Sequence, residues 1–382
     1  MRISLSDGET CRKASFFGKE LLREGAGIGY NVGKQGQEET KMNYQQVLEN
    51  AREKMAPRCR ACPECNGIAC KGVMPGPGGK GAGRTFQRNF SYLAEHVFLE
   101  MDVLQGEKKC DTSIELFGQT FAAPVFVAPI GLVQYNYTSA MTERQYCDAV
   151  TLGAKKAGIA AFGGGGLQPE HFYSPLHAIR DAGGWGIPTL KPWTMDVVLQ
   201  RLRETEECRP LAFTMDIDSA GLPHAGMSAL QMQMKTEKDL MEIASATELP
   251  FIVKGVMTAE SARKALNAGA YAVVVSNHGG RVMDNGLSTA EVLPEIREAV
   301  GNQRGRIFVD GGIRTGGDVF KMLALGADAV LIGRPYAIAA YGGGAEGVRL
   351  YTEKLIAELR DAMTMTGCAT LADIKRDKIR IV

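Results

Sequence analysis

The chain has 382 residues, is 45% hydrophobic and 23% charged, and carries a formal net charge of +1. This balance gives no reason to expect nucleic acid or an anionic membrane as partner, and the length suits one large domain with an appendage, or two domains. No apolar run is long enough to span a bilayer, and the polar opening "MRISLSDGETCRKASFF" lacks a signal-peptide pattern, so a cytoplasmic location is the expectation.

Residues 1–41 are polar, glycine-rich and without sustained periodicity. The run "QEETKM", ending at Met42, is encodable by a purine-rich stretch resembling a bacterial ribosome-binding site. Met42 is therefore a candidate natural start, with 1–41 an over-extended translation or disordered leader. An ordinary N-terminal extension is the alternative.

Residues 42–123 read as an N-terminal extension to a larger domain. They hold a helix-like "NYQQVLENAREKM", a cysteine cluster "CRACPECNGIAC" and a glycine-rich "GPGGKGAG". Of nine cysteines, Cys59, Cys62, Cys65 and Cys70 crowd together, while Cys11, Cys110, Cys147, Cys208 and Cys368 are scattered. Such a cluster in a cytosolic chain points to metal or redox chemistry before disulfides. The spacing C-x2-C-x2-C-x4-C offers four soft ligands and is one residue longer, before its last cysteine, than the bacterial ferredoxin run. A [4Fe-4S] cluster is the first expectation, zinc the alternative, and free thiols a third.

From residue 124 to 382 one theme repeats: an apolar run of strand length ends in small or reactive residues, then an amphipathic helical stretch follows. The runs are "PVFVAPIG", "GIAAFGGGG", "GIPTLKPW", "PLAFTMDID", "PFIVKGV", "AYAVVVSNH", "RIFVDGGI" and "AVLIGRP". Between them lie segments such as "TERQYCDAVTLGAKKAG", "TAESARKALNAG" and "GGDVFKMLALGAD", several stopping at glycine. Eight strand signals alternating with helices predict an α/β fold, a (β/α)8 TIM barrel with an N-terminal helical, Cys- and Gly-rich extension. A doubly wound sheet fits the alternation too, but the count of eight and reactive residues at nearly every strand end favour the barrel.

In a parallel barrel all strand ends open on one mouth, so groups distant in sequence meet there. The fourth strand delivers Thr214, Asp216 and Asp218, the fifth Lys254, and the sixth Ser276, His278 and Arg281. The seventh brings Asp310 and Arg314, the eighth Gly333 and Arg334. A carboxylate beside an imidazole orients it and stabilises its protonated form, as a general base requires. Glycines with an arginine at each of the last two strand ends make a phosphate site.

The pair "SNHGGR" and "DGGIRTGGDVFKMLALGADAVLIGRP" closely resembles the FMN-dependent α-hydroxy-acid dehydrogenase and oxidase family, relatives of glycolate oxidase and lactate oxidase. The resemblance extends back through "FAAPVFVAPIG" to "TFQRNFSYLAEHVFLEMDVL". It implies oxidation of a 2-hydroxy acid to the 2-oxo acid, with electrons passing from FMN to an unidentified acceptor. In that reading His278 is the base with Asp216 as its partner, and Arg281 holds the substrate carboxylate. Lys254 lies near the N1/C2 edge of the flavin. Thr214 and Ser276 hydrogen-bond the isoalloxazine, and Ala128, Pro129 and Ile130 lie against it through the backbone. Asp310, Gly312, Arg314, Gly333 and Arg334 hold the ribityl phosphate. Relatives commonly form tetramers or larger homo-oligomers.

The chain also departs from the family. Its N-terminal tyrosine is missing before "GAGRTFQRN", the third-strand "QLY" reads Thr189, Leu190, Lys191, and "MDIDSAGLPHAG" lacks the second carboxylate-binding arginine. Lys191, at the end of the third strand, is the expected substitute grip, and His224 a weaker one. An iron–sulfur cluster near FMN would give electrons an exit other than oxygen, which points to a dehydrogenase rather than an oxidase. Two further readings stand beside this one: an FMN-dependent isomerase or reductase resembling type II isopentenyl diphosphate isomerase, and a flavin-binding module without turnover.

Overall fold

The computed structural model describes residues 42–103, 109–166, 168–222, 230–301 and 305–382. The expected leader at 1–41, and His224, lie outside the described residues. Residues Met42–Val382 form one compact unit.

Seven parallel strands lie side by side: Val125–Val127, Ala329–Ile332, Arg306–Asp310, Ala272–Val275, Phe251–Val256, Phe213–Asp216 and Thr189–Leu190. The remaining stave is a pair of parallel bridges, Val127 to Ala161 and Phe162 to Ile187. Phe162 N–H donates to Val127 O at 2.9 Å, and Gly163 N–H to Ile187 O at 2.8 Å. These bonds join the two edges of the sheet and close the barrel. Each strand falls inside one of the eight apolar runs.

Alternation along the strands sorts their side chains into two cores. Phe126, Phe162, Ile252, Val274, Phe308 and Leu331 point to the barrel axis, and a hairpin (Ile114–Leu116 with Gln119–Phe121) adds Leu116 and Phe121 to the same cluster. Val127, Met215, Val253, Val275, Val309 and Ile332 point outward into the core that they share with the helices. Each such aliphatic side chain, once buried, contributes roughly 1.5–3 kcal/mol.

The helices begin where the sequence supplies caps. Thr142 with Gln145 boxes the start of Glu143–Lys156, and Thr315 with Asp318 boxes Gly316–Ala324. The helix Tyr44–Met55 packs against the long C-terminal helix Arg334–Met365, which kinks at Gly344. Gly342 permits the close approach, since a Cβ there would sit 2.0 Å from Val47 O. Downstream, Val97–Leu99 pairs antiparallel with Ile379–Ile381, tying the extension to the C-terminal end. No helix among the described residues is long and apolar enough to cross a membrane.

Candidate active site

Continuing the inward alternation by one more residue pair replaces oil with charge. Ile187 leads to Thr189 and Lys191, Ala212 to Thr214 and Asp216, Ile252 to Lys254, Val274 to Ser276, and Phe308 to Asp310. This makes a polar layer on top of the apolar core. Lys191 Nζ lies 2.7 Å from Asp216 Oδ2, and Lys254 Nζ lies 3.0 Å from Asp216 Oδ1 and 3.8 Å from Asp310 Oδ2. Burial opposes the charge on Asp216, yet Lys191, Lys254 and His278 together hold its pKa below the usual carboxylate range. Burial likewise opposes charge on Lys254, but Asp216, Asp310 and Asp218 outweigh it and raise its pKa.

Above this layer opens a cavity of about 1100 Å³. Ala128, Pro129, Ile130, Lys191, Lys254, His278, Arg281, Asp310, Gly312, Arg314, Gly333 and Arg334 all line it. Twelve of the residues expected from sequence therefore meet at one place.

His278 sits in the left-handed region at φ 57°, and Gly279 and Gly280 follow at 62° and 78°. A non-glycine residue there is strained, and such strain gathers at functional sites. Its backbone N–H donates to Ser276 Oγ at 3.1 Å, fixing the turn. The imidazole Nδ1 lies 3.1 Å from both carboxylate oxygens of Asp218. A proton on Nδ1 directed at Asp218 leaves Nε2 as the basic nitrogen.

Three expectations need correction. The carboxylate bonded to His278 is Asp218, not Asp216. After Asp216 the chain turns into the short 3₁₀ helix Ile217–Gly221, which lifts Asp218 to the imidazole while Asp216 stays below between two lysines. Thr214 lies one layer beneath the cavity and donates its hydroxyl to Ile252 O at 2.9 Å. Ser276 is also absent from the cavity wall, its hydroxyl donating to Asp310 Oδ2 at 2.9 Å.

Arg281 is where it was expected, but held. It donates to Gly76 O at 2.6 Å, to Gly78 O at 3.1 Å and to Asn136 Oδ1 at 2.8 Å. These three bonds leave two of its five N–H groups without a protein acceptor among the described residues. Burial and the neighbouring Arg334 push the Arg281 pKa down to about 10. Burial also lowers that of Arg334, whose guanidinium donates to Pro77 O, Gly279 O and Gly78 O and stacks 3.7 Å from the Phe86 ring centroid. Among the described residues, none of Arg281, Arg314 and Arg334 forms a salt bridge. Half-buried cations without counter-ions are costly alone and are stabilised by an anionic ligand.

The residues fit FMN on further grounds. Asp310 Oδ1 is buried on this wall without a hydrogen-bond partner among the described residues, an acceptor available to a polyol hydroxyl. Gly312 turns at φ 83°, and a Cβ there would fall 1.9 Å from Asn89 O, so only glycine lets the backbone line the cavity at that point.

Asn89, Asn136, Tyr137 and Glu143 were not among the residues expected at the site. Asn89 and Asn277 exchange side-chain hydrogen bonds at 2.8 and 2.9 Å, locking the turn beneath His278. Asn136 positions Arg281, and its only signal was a polar pair in "QYNY" shortly after a strand end. Glu143 accepts from the backbone N–H groups of Leu132 and Val133 at 3.1 and 2.9 Å, and burial pushes its pKa up to about 7.

Comparison with known proteins agrees with this geometry. A family model described as FMN-dependent dehydrogenase matches residues 76–168 and 176–381. The chain is 31% identical to the 4-hydroxymandelate oxidase of Amycolatopsis orientalis, covering 81% of this chain and 95% of that protein. It is 32% identical to an L-lactate dehydrogenase of Vibrio parahaemolyticus, covering 79% and 92% respectively. A solved mandelate oxidase variant bearing a monooxide FMN adduct superposes with a TM-score of 0.65 at 32% identity, covering 78% of this chain and 92% of that one. A mandelate oxidase with (S)-2-phenylpropionate gives a TM-score of 0.71 at 29% identity, with coverages of 88% and 98%.

Proposed function

The chain belongs to the FMN-dependent dehydrogenase family, and from that premise we propose that it oxidises a 2-hydroxy carboxylate to the 2-oxo acid at the barrel mouth. The observation that carries this reading is that a carboxylate-aligned histidine and an incompletely bonded, half-buried arginine line one cavity. When bound, FMN supplies the two-electron acceptor for the substrate carbon.

The backbone of Ala128, Pro129 and Ile130, with Asp310, Gly312, Arg314, Gly333 and Arg334, holds the cofactor. Lys254 would supply the positive charge beside the flavin. The free N–H groups of Arg281 take the substrate carboxylate, and Lys191 adds a second positive charge on the same wall. His278 takes a proton from the substrate carbinol at Nε2, and Asp218 steadies the imidazolium that results. Asp216 acts one step removed, keeping Lys254 charged and both Lys191 and Lys254 in place.

Relatives named for lactate and for mandelates define the substrate panel. Mixing the flavin-loaded protein anaerobically with glycolate, L-lactate and (S)-mandelate should bleach the flavin with at least one of them and yield the 2-oxo acid. Retention of full flavin absorbance with every 2-hydroxy acid tried would remove this reading. The iron–sulfur cluster or zinc expected at the cysteines is no part of this half-reaction.

A further inference from the structure

The segment carrying Cys59, Cys62, Cys65 and Cys70 ends before residue 76, where the family match begins. It does not carry the hydroxy-acid chemistry, and the mechanism above uses none of its side chains. The structure nevertheless gives it a definite shape. All four cysteines line one chamber of about 430 Å³, and Tyr137 and Arg334 line both that chamber and the cavity of the active site. We propose that this chamber holds a [4Fe-4S] cluster, ligated by Cys59, Cys62, Cys65 and Cys70, through which electrons leave the flavin.

Convergence is the first ground. The four cysteines span twelve residues without forming a helix or strand, yet all reach one enclosed space. None of them is in a disulfide. In two-cluster ferredoxins the fourth cysteine of a similar run serves a different cluster. Here the fourth, Cys70, faces the same chamber as the other three.

Spacing is the second ground, and it separates a cluster from zinc. A tetrahedral zinc with bonds of about 2.3 Å draws its sulfurs to within about 4 Å of one another. Among the described residues, the one group of three or more His, Cys, Asp or Glu side chains with ligand atoms all within 4.8 Å is Asp216, Asp218 and His278. No three of the four cysteine sulfurs approach that closely. They stand around a volume instead, as four thiolates do when each binds a separate iron of a cubane core.

The third ground is how the loop is docked. Arg314 Nε donates to Cys65 O at 2.8 Å, and Gly67 lies so close to Phe86 that a Cβ would meet its ring at 3.0 Å. Phe86 in turn carries the Arg334 guanidinium on its face. The loop is therefore fastened to both arginines assigned to the flavin phosphate. Arg334 and Tyr137 belong to the walls of both cavities.

The electron count is consistent with such an exit. Oxidising one 2-hydroxy acid to the 2-oxo acid breaks a C–H and an O–H bond and releases two electrons and two protons. One proton passes to His278, and both reach solvent. A cluster carries one electron at a time, so two passages reduce two equivalents of a one-electron carrier for each substrate oxidised.

The test is elemental and spectroscopic, on the full chain purified without oxygen and, if it lacks iron, after incubation with ferrous iron, sulfide and thiol. The proposal predicts about four irons and about four acid-labile sulfides per chain, with an absorbance near about 400 nm that dithionite bleaches. A low-temperature paramagnetic signal should accompany the bleaching. Cys62→Ser should lose most of the iron and that signal, while Cys110→Ser, outside the chamber, should keep both. Stoichiometric zinc, or no more iron retained after incubation than by Cys62→Ser, would overturn the proposal. Flavin bleaching by substrate is read separately and tests the hydroxy-acid reading alone.

Discussion

Asp218 holds His278 by both carboxylate oxygens, each 3.1 Å from Nδ1, while Asp216 lies two residues earlier and binds Lys191 and Lys254 instead. Two aspartates on one strand end thus divide two tasks, one aligning the base and one organising the cations beneath it.

That division predicts different losses. Asp218→Asn should leave thermal stability and flavin content close to wild type and slow substrate-driven flavin reduction by about 10²-fold or more, since the imidazolium loses its counter-charge. Asp216→Asn leaves two buried lysines facing a neutral amide and should destabilise the fold by about 3–5 kcal/mol. Rapid-mixing flavin reduction beside a melting curve distinguishes the two. If Asp216→Asn alone slowed reduction, with its melting temperature intact, the assignment would have to be reversed.

Lys191 is buried on the cavity wall, with Asp216 at 2.7 Å and Ser219 Oγ at 3.2 Å. If it assists Arg281 in holding the carboxylate, Lys191→Met should raise the KM for the hydroxy acid by about tenfold, equivalent to about 1.4 kcal/mol, with FMN retained. An unchanged KM and substrate preference would restrict Lys191 to its pairing with Asp216.

Glu143 supplies a pH dependence with a definite sign. Its carboxyl is raised by burial from an ordinary 4.5 to about 7. The folded state therefore binds the proton more tightly than the unfolded chain. Its stabilising contribution is complete below about pH 4.5 and is lost as pH rises through about 7. Glu143→Gln lacks this titration, so its stability relative to wild type should improve between pH 5 and pH 8 by on the order of 1–3 kcal/mol. Denaturant melts at the two pH values measure this directly. A difference that is flat with pH would mean that Glu143 is ionised throughout.

The strands were legible because a barrel's parallel strands are buried on both faces and read as short apolar runs. Even the second, reduced here to bridges at Ala161 and Phe162, lay within its run. Twelve of the cavity-lining residues were legible too, since strand ends in this fold share one mouth. What sequence could not supply was height along the barrel axis. Thr214 and Asp216 follow the inward alternation as Lys254 does, but Thr214 falls a layer below the cavity. The 3₁₀ turn after Asp216 then re-aims Asp218, and local pattern does not encode that displacement. Arg281 lines the cavity, yet its bonds to Gly76 and Gly78 come from a segment about two hundred residues away.

The most direct test of the central claim is rapid anaerobic mixing of flavin-loaded wild type and His278→Asn with the best hydroxy acid, following flavin absorbance. The account predicts that the variant retains FMN and binds substrate, but that reduction slows by about 10³-fold or more for want of the proton acceptor. Reduction of the variant at the wild-type rate would contradict it, and His278 could not be the base.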